Sequence, residues 1–374
     1  MAFSSPQNDI QSLKSLTNTT LALLTQFQTS LTSSSRPTSP SPLPANPPNP
    51  LAVLRDAATL LKAHTTKLSL LLLNDPFTPS AVAKVVRDIS GTCLPAMMGA
   101  VEICRATSWG ATMNHEVRLR VGRVVREVQN LLRETGGVVE GFERGERIKG
   151  KEKARSGGKE GRDSLASTGV VWEACDALVA LERMGLVGVV VRKAEEYRAM
   201  LADAVEELRD WADEEDEMDD EDDDTETGAE ERIQDQILGA PNKLAGNEDL
   251  RGQLERTLKK LKTIGMLYQA LIKRRLRTFP PIAAAGGSTS TEAESSSRLA
   301  TLDRLMEILK AVPEFTDELA SAFYELDAKE ADKYLEKSCL EASKAVAVVN
   351  LNWDGYEDVF TDWSARWLEA ITNA

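Results

Sequence analysis

The side chains most often used in catalysis are scarce in this sequence and lie far apart. A metal site needs several ligands with short-range pairs, and the sequence contains no CxxC and no HxxxH pair. It also lacks a GxSxG-type turn beside a histidine and a GxxxxGKS or GxxxxGKT phosphate loop. The histidines are His64 and His115, and the cysteines are Cys93, Cys104, Cys175 and Cys339. The sequence therefore predicts no metal, no cofactor and no enzymatic activity.

The densest group of ionisable side chains is the acidic run from Asp210 to Asp224, DWADEEDEMDDEDDD. It supplies nearly all of the formal net charge of −14. Because like charges repel and bury no apolar area, the run is predicted to stay solvated. It lacks the glycine and alternating ligands of a calcium loop, so it is either a spacer or a docking site for a basic partner. The candidate contacts are Asp213, Glu214, Glu215, Asp216, Glu217, Asp219, Asp220, Glu221, Asp222, Asp223 and Asp224.

A basic stretch from Arg251 to Arg277 follows, with leucines on one helical face and cations on the other. The candidate contacts are Arg256, Lys259, Lys260, Lys273, Arg274 and Arg277. Three interpretations remain open: an intramolecular clamp with the acidic run, a solvated face, or a surface for nucleic acid or lipid headgroups. Nucleic acid is not the expected partner, since the chain is acidic overall and the stretch has no interleaved aromatic platform.

The elements that must position these residues are predicted to be helices. Aromatic residues make up only 5% of the chain, and apolar residues recur at spacings of three and four. Breaks are expected at Gly91, Pro95 and Pro313, a hinge at Met184-Gly185, and an N-cap at Asn114. The predicted helices span residues 7–31, 51–73, 80–105, 114–137, 170–184, 186–211, 248–276, 297–312, 316–326, 329–350 and 356–371.

The predicted fold is all-α, with two packed bundles of long antiparallel helices, disordered linkers and an acidic loop. The segments are an N-terminal helix (1–31), a Pro/Ser-rich linker (32–50), an N-terminal helical bundle (51–142), a disordered basic loop (143–165), a helical pair (166–212), an acidic disordered loop (213–246) and a C-terminal helical bundle (247–374). In the linker, Ser39-Pro40 and Ser41-Pro42 resemble sites for proline-directed kinases, although a flexible spacer would have the same composition.

The most distinctive phrase is TGVVWEACDA, from Thr168 to Ala177. With the two helices, acidic run and Leu/Lys-rich helix that follow it, this phrase resembles the cyclin-D-interacting protein family (GCIP, or cyclin-D-binding protein). The motif residues are Trp172, Glu173, Cys175 and Asp176. The resemblance implies an all-helical protein in two bundles that binds cyclin-D-type and helix-loop-helix regulators without catalysis, in both cytoplasm and nucleus. Trp172 and Cys175 are three residues apart, so we expect both to pack into the core.

The sequence favours a non-enzymatic regulatory interaction protein, and the resemblance implies that it binds cell-cycle and helix-loop-helix transcription regulators. The alternative is a cytoskeletal or adhesion-type adaptor, since long-helix bundles also serve there. No secretory signal or membrane-spanning stretch is predicted, and the four dispersed cysteines suit a reducing compartment. The expected location is therefore cytoplasmic and nuclear.

Overall fold

The computed structural model describes residues 6–33, 47–74, 76–143, 159–220, 248–281 and 292–373, with only the helical backbone at 159–165 and 214–220. All regular structure in these residues is helical, which confirms the all-α prediction. The chain divides into two compact helical units. The first contains the described helices up to Leu186, and the second contains those from Val187 onward. Most of the predicted proline-rich linker, basic loop and acidic loop lies outside the described residues.

The first unit is built around a long central helix. Its elements are α1 (Pro6–Thr32), α2 (Pro50–Leu73), α3 (Pro79–Asp88), α4 (Leu94–Ile103), α5 (Ala106–Trp109), α6 (Ala111–Glu143) and the first half of α7 (Lys159–Asp220). Asn49 caps α2 by accepting from the backbone N–H of Leu51 at 2.9 Å, and Pro50 occupies the first helical position, where no donor is needed. A π turn, Ile89–Cys93, joins α3 to α4 at the predicted break.

Helix α1 lies antiparallel to α6. Gln28 Nε2 donates to the Gly122 oxygen at 2.8 Å, and Gln129 Nε2 donates to Thr25 Oγ1 at 2.9 Å. Arg118 binds the C-terminal end of α1, because its Nη2 donates to the oxygens of Ser30, Leu31 and Ser33. The last carbonyls of a helix have no intrahelical donor, and a cation there also favours the helix dipole. One arginine on α6 therefore terminates α1.

Helix α6 extends past both of its predicted bounds, an N-cap at Asn114 and an end at Gly136-Gly137 or a turn beyond. The helix begins at Ala111, and Asn114 Nδ2 instead donates to the Cys104 oxygen at the end of α4. It also continues through the two glycines at 136 and 137. Beyond them Val139 is buried, and the ring of Phe142 lies 5.0 Å from that of Phe77. Packing of these side chains outweighs the low helix propensity of glycine, which is about 1 kcal/mol per residue.

Helix α7 changes direction at the predicted hinge. Gly185 has φ 58° and ψ −170°, a combination that only glycine adopts without strain. The helical backbone resumes after it and continues to Asp220, well into the predicted acidic loop. The boundary between the two units lies close to Gly185, between Leu186 and Val187.

The second unit contains the rest of α7 and four more described helical segments. They are α8 (Glu248–Leu271), which continues into a π turn (Ile272–Leu276), α9 (Glu292–Tyr324), α10 (Ala328–Val348) and α11 (Val359–Asn373). Helices α9 and α10 form a tight hairpin, in which Asp327 caps α10 by accepting from the N–H groups of Lys329 and Glu330 at 3.1 Å.

The prediction that Pro313 separates two helices is wrong, since α9 runs through it. A proline inside a helix supplies no N–H for the carbonyl four residues earlier, which here belongs to Leu309. The buried hydroxyl of Tyr268 on α8 donates to that Leu309 oxygen at 2.6 Å. Because a neighbouring helix satisfies the carbonyl that proline leaves without a donor, α9 remains continuous.

Candidate functional site

The motif phrase lies on the first half of α7, where one face of the helix enters the core of the first unit. Val171, Ala174, Cys175 and Leu178 are at most 1% exposed. At the start of the phrase, the hydroxyls of Ser69 on α2 and Thr168 on α7 form a buried hydrogen bond at 2.5 Å. The spacing of the apolar positions therefore fixes which side of α7 faces α2 and α6.

The two acidic motif residues form ion pairs with these neighbouring helices. Asp176 Oδ1 lies 2.5 Å from Lys62 Nζ on α2, and Glu173 Oε1 lies 2.9 Å from Arg123 Nη2 on α6. Both carboxylates are more than half exposed, so each pair stabilises the unit by only about 0–1 kcal/mol. Their main effect is to orient α7 between its neighbours.

A buried charge pair lies beneath the same phrase. Arg120 Nε donates to Glu116 Oε1 at 2.7 Å, and Arg120 Nη1 donates to the Ala177 oxygen at 2.5 Å. The side chains of Arg120 and Glu116 are 8% and 5% exposed. Because a buried charge is costly unless it is paired, this contact tightly couples α6 to the end of the motif.

Trp172 and Cys175 differ in burial. Cys175 is fully buried as predicted, whereas Trp172 is 37% exposed, so the expectation of core packing is wrong for the tryptophan. Residues three apart on a helix are displaced by about 60° around its axis, which is enough to move Trp172 to the edge of the buried face. It is the motif side chain with a large aromatic surface available to solvent.

The side chains that could supply nucleophilic chemistry are held in an unreactive form. Burial raises the pKa of the Cys93 thiol to about 11 and the pKa values of Cys104 and Cys175 to about 12. Burial also raises the pKa of Cys339. At neutral pH these thiols are protonated, and the thiol form is a poor nucleophile and metal ligand. Among the described residues, no group of three His, Cys, Asp or Glu could hold a metal ion.

The structure separates the predicted basic contacts into different surroundings. Arg256 and Lys260 line a groove of about 460 Å³ together with Asp332 and Glu336 on α10. Arg277 instead pairs with Glu195 on α7 at 3.1 Å. Of the others, Lys259 and Lys273 are exposed and Arg274 is half-buried. Arg256 and Arg277 are about 30 Å apart along the helical segment, so the six cations do not form one patch.

The acidic run is described only at its beginning. The Asp213 side chain is exposed, and the helical backbone of α7 extends from there to Asp220. The candidate contacts Glu221, Asp222, Asp223 and Asp224 lie outside the described residues, as do Ser39 and Ser41. The clamp between this run and the basic helix therefore stays a prediction.

One heavily hydrogen-bonded charged residue, Arg275, was not predicted from the sequence. Its guanidinium makes five hydrogen bonds, to both Asp358 oxygens and to the carbonyls of Val349, Asn350 and Arg274. It also lies 4.3 Å from the centre of the Phe360 ring. These bonds hold the pKa of Asp358 at about 2, helped by the backbone N–H groups of residues 360 and 361.

A sequence signal for this arginine does exist. Arg275 lies seven residues after Tyr268 and three after Ile272, which places it on the apolar face of the helix rather than on its cationic face. An arginine on an apolar face needs a buried partner. Here the partner comes from the segment between α10 and α11, and Trp353 of that segment donates its Nε1 hydrogen to the Arg275 oxygen at 2.8 Å.

No helix in the described part of the chain has a stretch long and apolar enough to cross a membrane.

Comparison with known proteins finds similarity to a relative and, over the motif region, to a family model. The chain is 26% identical over 323 residues to an uncharacterized protein of Schizosaccharomyces pombe, an alignment that covers 86% of this chain and 84% of the relative. A family model described as "Grap2 and cyclin-D-interacting, N-terminal" matches residues 53–214, which include the phrase around Trp172. The predicted resemblance is thereby confirmed, because the match to this family's N-terminal region covers residues 53–214.

Proposed function

We propose that this chain is a non-enzymatic regulatory interaction protein that binds cyclin-like or helix-loop-helix regulators. The observation that carries the proposal is the family match over residues 53–214, because the family is named for its interaction with cyclin D. The proposed location is cytoplasmic and nuclear, where such regulators act. The chemistry of the side chains supports a role in binding, since the buried thiols are held protonated at neutral pH.

Within the matched region, Trp172 is the strongest candidate for a contact with the partner. Glu173 and Asp176 form ion pairs with α6 and α2, and Cys175 is buried, so these motif residues already have structural roles. The partly exposed indole combines a large apolar surface with one hydrogen-bond donor. Tryptophan side chains of this kind are enriched among the residues that dominate binding energy at protein interfaces.

The test is to titrate the purified full-length chain against a D-type cyclin and, separately, against a helix-loop-helix domain by isothermal calorimetry. We expect micromolar or tighter binding to at least one of them. Trp172→Ala should weaken that binding at least about tenfold, since contacts of this kind contribute on the order of 2 kcal/mol. The matched control is Leu70→Ala, which truncates a 59% exposed apolar residue on α2 of the same unit and should leave affinity unchanged.

Circular dichroism and unfolding midpoints of both variants would show that the fold is retained. Failure of the wild-type chain to bind either class of regulator would overturn the proposal. If the chain instead cosedimented with actin filaments, the adaptor alternative would replace it.

A further inference from the structure

The second unit has a shallow groove between the second half of α7 and α8. Its volume is about 260 Å³. The ion pair between Glu195 and Arg277 joins the two helices beyond one end of the groove. Residue numbers rise away from that pair on α7 and fall away from it on α8, so the two helices run antiparallel along the groove. Two antiparallel helices form a groove that can accept a third helix.

The floor of the groove is apolar, and the residues at its edges have small side chains. Leu201, Val205 and Leu261 are buried along the floor. Ala202 and Gly265 add almost no side-chain bulk, and a Cβ placed on Gly265 would meet no atom within 4 Å. A helix can therefore approach closely at this position. Met266, which is 54% exposed beside the groove, has the flexible side chain that adapts to apolar ligands.

The charged residues that line the groove are all positive. Arg198 lines it from α7 and Lys262 lines it from α8, and none of its lining residues is acidic. Within the described part of the chain, neither cation has an ion-pair partner. The groove lined by Arg256 and Lys260 differs, because Asp332 and Glu336 lie in it as well. Two cations on opposite walls favour a negatively charged ligand.

We propose that this groove docks an acidic amphipathic helix of a separate regulatory protein. Apolar residues one turn apart on that helix fill the floor over Leu201 and Leu261, and flanking carboxylates pair with Arg198 and Lys262. The inference goes beyond the proposed function, because the groove lies in the second unit and does not use Trp172. Trp172→Ala should therefore leave this binding unchanged, so that the failure of either proposal can be told from the failure of the other.

The probe is a fluorescein-labelled helical peptide of about five turns, with leucines at i, i+3, i+4 and i+7 and glutamates on both flanks. Fluorescence anisotropy with the full-length chain should show saturable binding that weakens as salt is added. The double variant Arg198→Glu/Lys262→Glu replaces both cations with carboxylates, which repel the glutamates of the peptide. We expect its affinity for the peptide to fall at least about tenfold. A peptide with lysines in place of the glutamates should show the reverse preference, binding the double variant more tightly than the wild type.

A second pair of variants tests the shape of the groove without changing its charge. Gly265→Leu adds a bulky side chain at the edge of the groove, where the helix would approach closely, and should abolish peptide binding. Gly252→Leu is the matched control, since it lies on the same helix, also has no atom within 4 Å of the added Cβ, and does not line the groove. Melting temperatures verify that both variants fold.

Two outcomes would overturn the proposal. One is equal peptide binding, or none, in the wild type and all of these variants. The other is binding only after the carboxylates from Asp213 to Asp224 have been replaced by amides. That result would mean that the chain's own acidic run, and not a separate protein, is what the groove binds.

Discussion

Each unit buries an arginine, and the two arginines differ in how far apart in the sequence their partners lie. Arg120 in the first unit pairs with Glu116 one turn earlier on the same helix and donates one hydrogen bond to another helix, at the Ala177 oxygen. Arg275 in the second unit pairs with Asp358, 83 residues away, and reaches two further carbonyls of the same distant segment.

This difference indicates what each arginine contributes. The pair on α6 can form as soon as that helix forms, so the tertiary structure depends on it mainly through one hydrogen bond. The Arg275 network exists only once α8 and the segment from Val349 to Asp358 have come together. The second arginine is therefore expected to carry the larger share of the stability of its unit.

Arg275→Met is expected to lower the free energy of unfolding more than any other change proposed here. Removing the guanidinium leaves Asp358 without its cation and takes one donor from each of three carbonyls, of which those of Asn350 and Arg274 keep a threonine hydroxyl donor. We expect a loss of about 3–5 kcal/mol in unfolding free energy. Urea denaturation measures the loss, and hydrogen-exchange mass spectrometry should place it in residues 349–358. The control is Arg274→Met, a half-buried neighbour whose side chain has no bonded partner among the described residues. A loss under about 1 kcal/mol for Arg275→Met would contradict the comparison.

Arg120→Met should have a smaller effect, about 2–3 kcal/mol, because only one bond between helices is lost while Glu116 stays buried without its arginine. Adding Glu116→Gln should restore part of the loss, since the second change removes the buried carboxylate that has lost its arginine. Denaturation curves of the single and double variants give the coupling free energy between Arg120 and Glu116 directly. If the double variant were no more stable than Arg120→Met, the buried charge would not be the cause.

Tyr268→Phe removes only the hydroxyl that donates to the Leu309 oxygen of α9, the carbonyl for which Pro313 has no N–H. The change removes no apolar volume but leaves the Leu309 oxygen without its donor, so we expect a loss of about 1–2 kcal/mol. Tyr356→Phe is the matched control, since Tyr356 is 70% exposed and should respond within about 0.5 kcal/mol. Equal midpoints for Tyr268→Phe and the wild type would show that the carbonyl does not need the donor.

The smallest expected effect is a dependence of the protein's stability on pH in the acid range. The pKa of Asp358 is lowered from 3.8 to about 2 in the folded chain, chiefly by hydrogen bonds from Arg275. A depressed folded pKa stabilises the protein above the unfolded pKa, so this contribution is present above about pH 4 and disappears as the pH falls towards 2. The carboxylate is a third exposed, which reduces the expected contribution to on the order of 1 kcal/mol.

Urea midpoints between pH 5 and pH 2 measure this dependence. In Asp358→Asn the acid-dependent part contributed by this carboxylate should be missing, and the rest of the curve should keep its shape. An unchanged slope in that variant would assign the acid sensitivity to other carboxylates.

The sequence predicted the helices and one hinge because these features depend on local patterns. Gly185 is an example, since the Met184-Gly185 pair lies between two apolar periodic segments and is a local signal for a hinge. The buried position of Cys175 likewise follows from its place among Val171, Ala174 and Leu178. The family motif was also found by local residue identity.

The errors came from contacts between distant residues. Pro313 remains inside α9 because Tyr268, on another helix, donates to the Leu309 oxygen. Helix α6 extends beyond its glycines because Phe142 contacts Phe77. A helical periodicity shows which face a cation occupies but not which helix lies opposite. The basic residues were therefore treated as one set, although the structure gives Arg256 and Arg277 different neighbours.

The bond between Tyr268 and the Leu309 oxygen also limits the order in which this protein could change during evolution. A lineage that lost the tyrosine hydroxyl first would pass through a destabilised intermediate while Pro313 was still present. A lineage that first replaced the proline with alanine would regain the helical N–H, and the tyrosine could then be lost at little cost. Relatives with phenylalanine at position 268 are therefore expected to lack proline at 313, whereas relatives with the tyrosine can have either residue there.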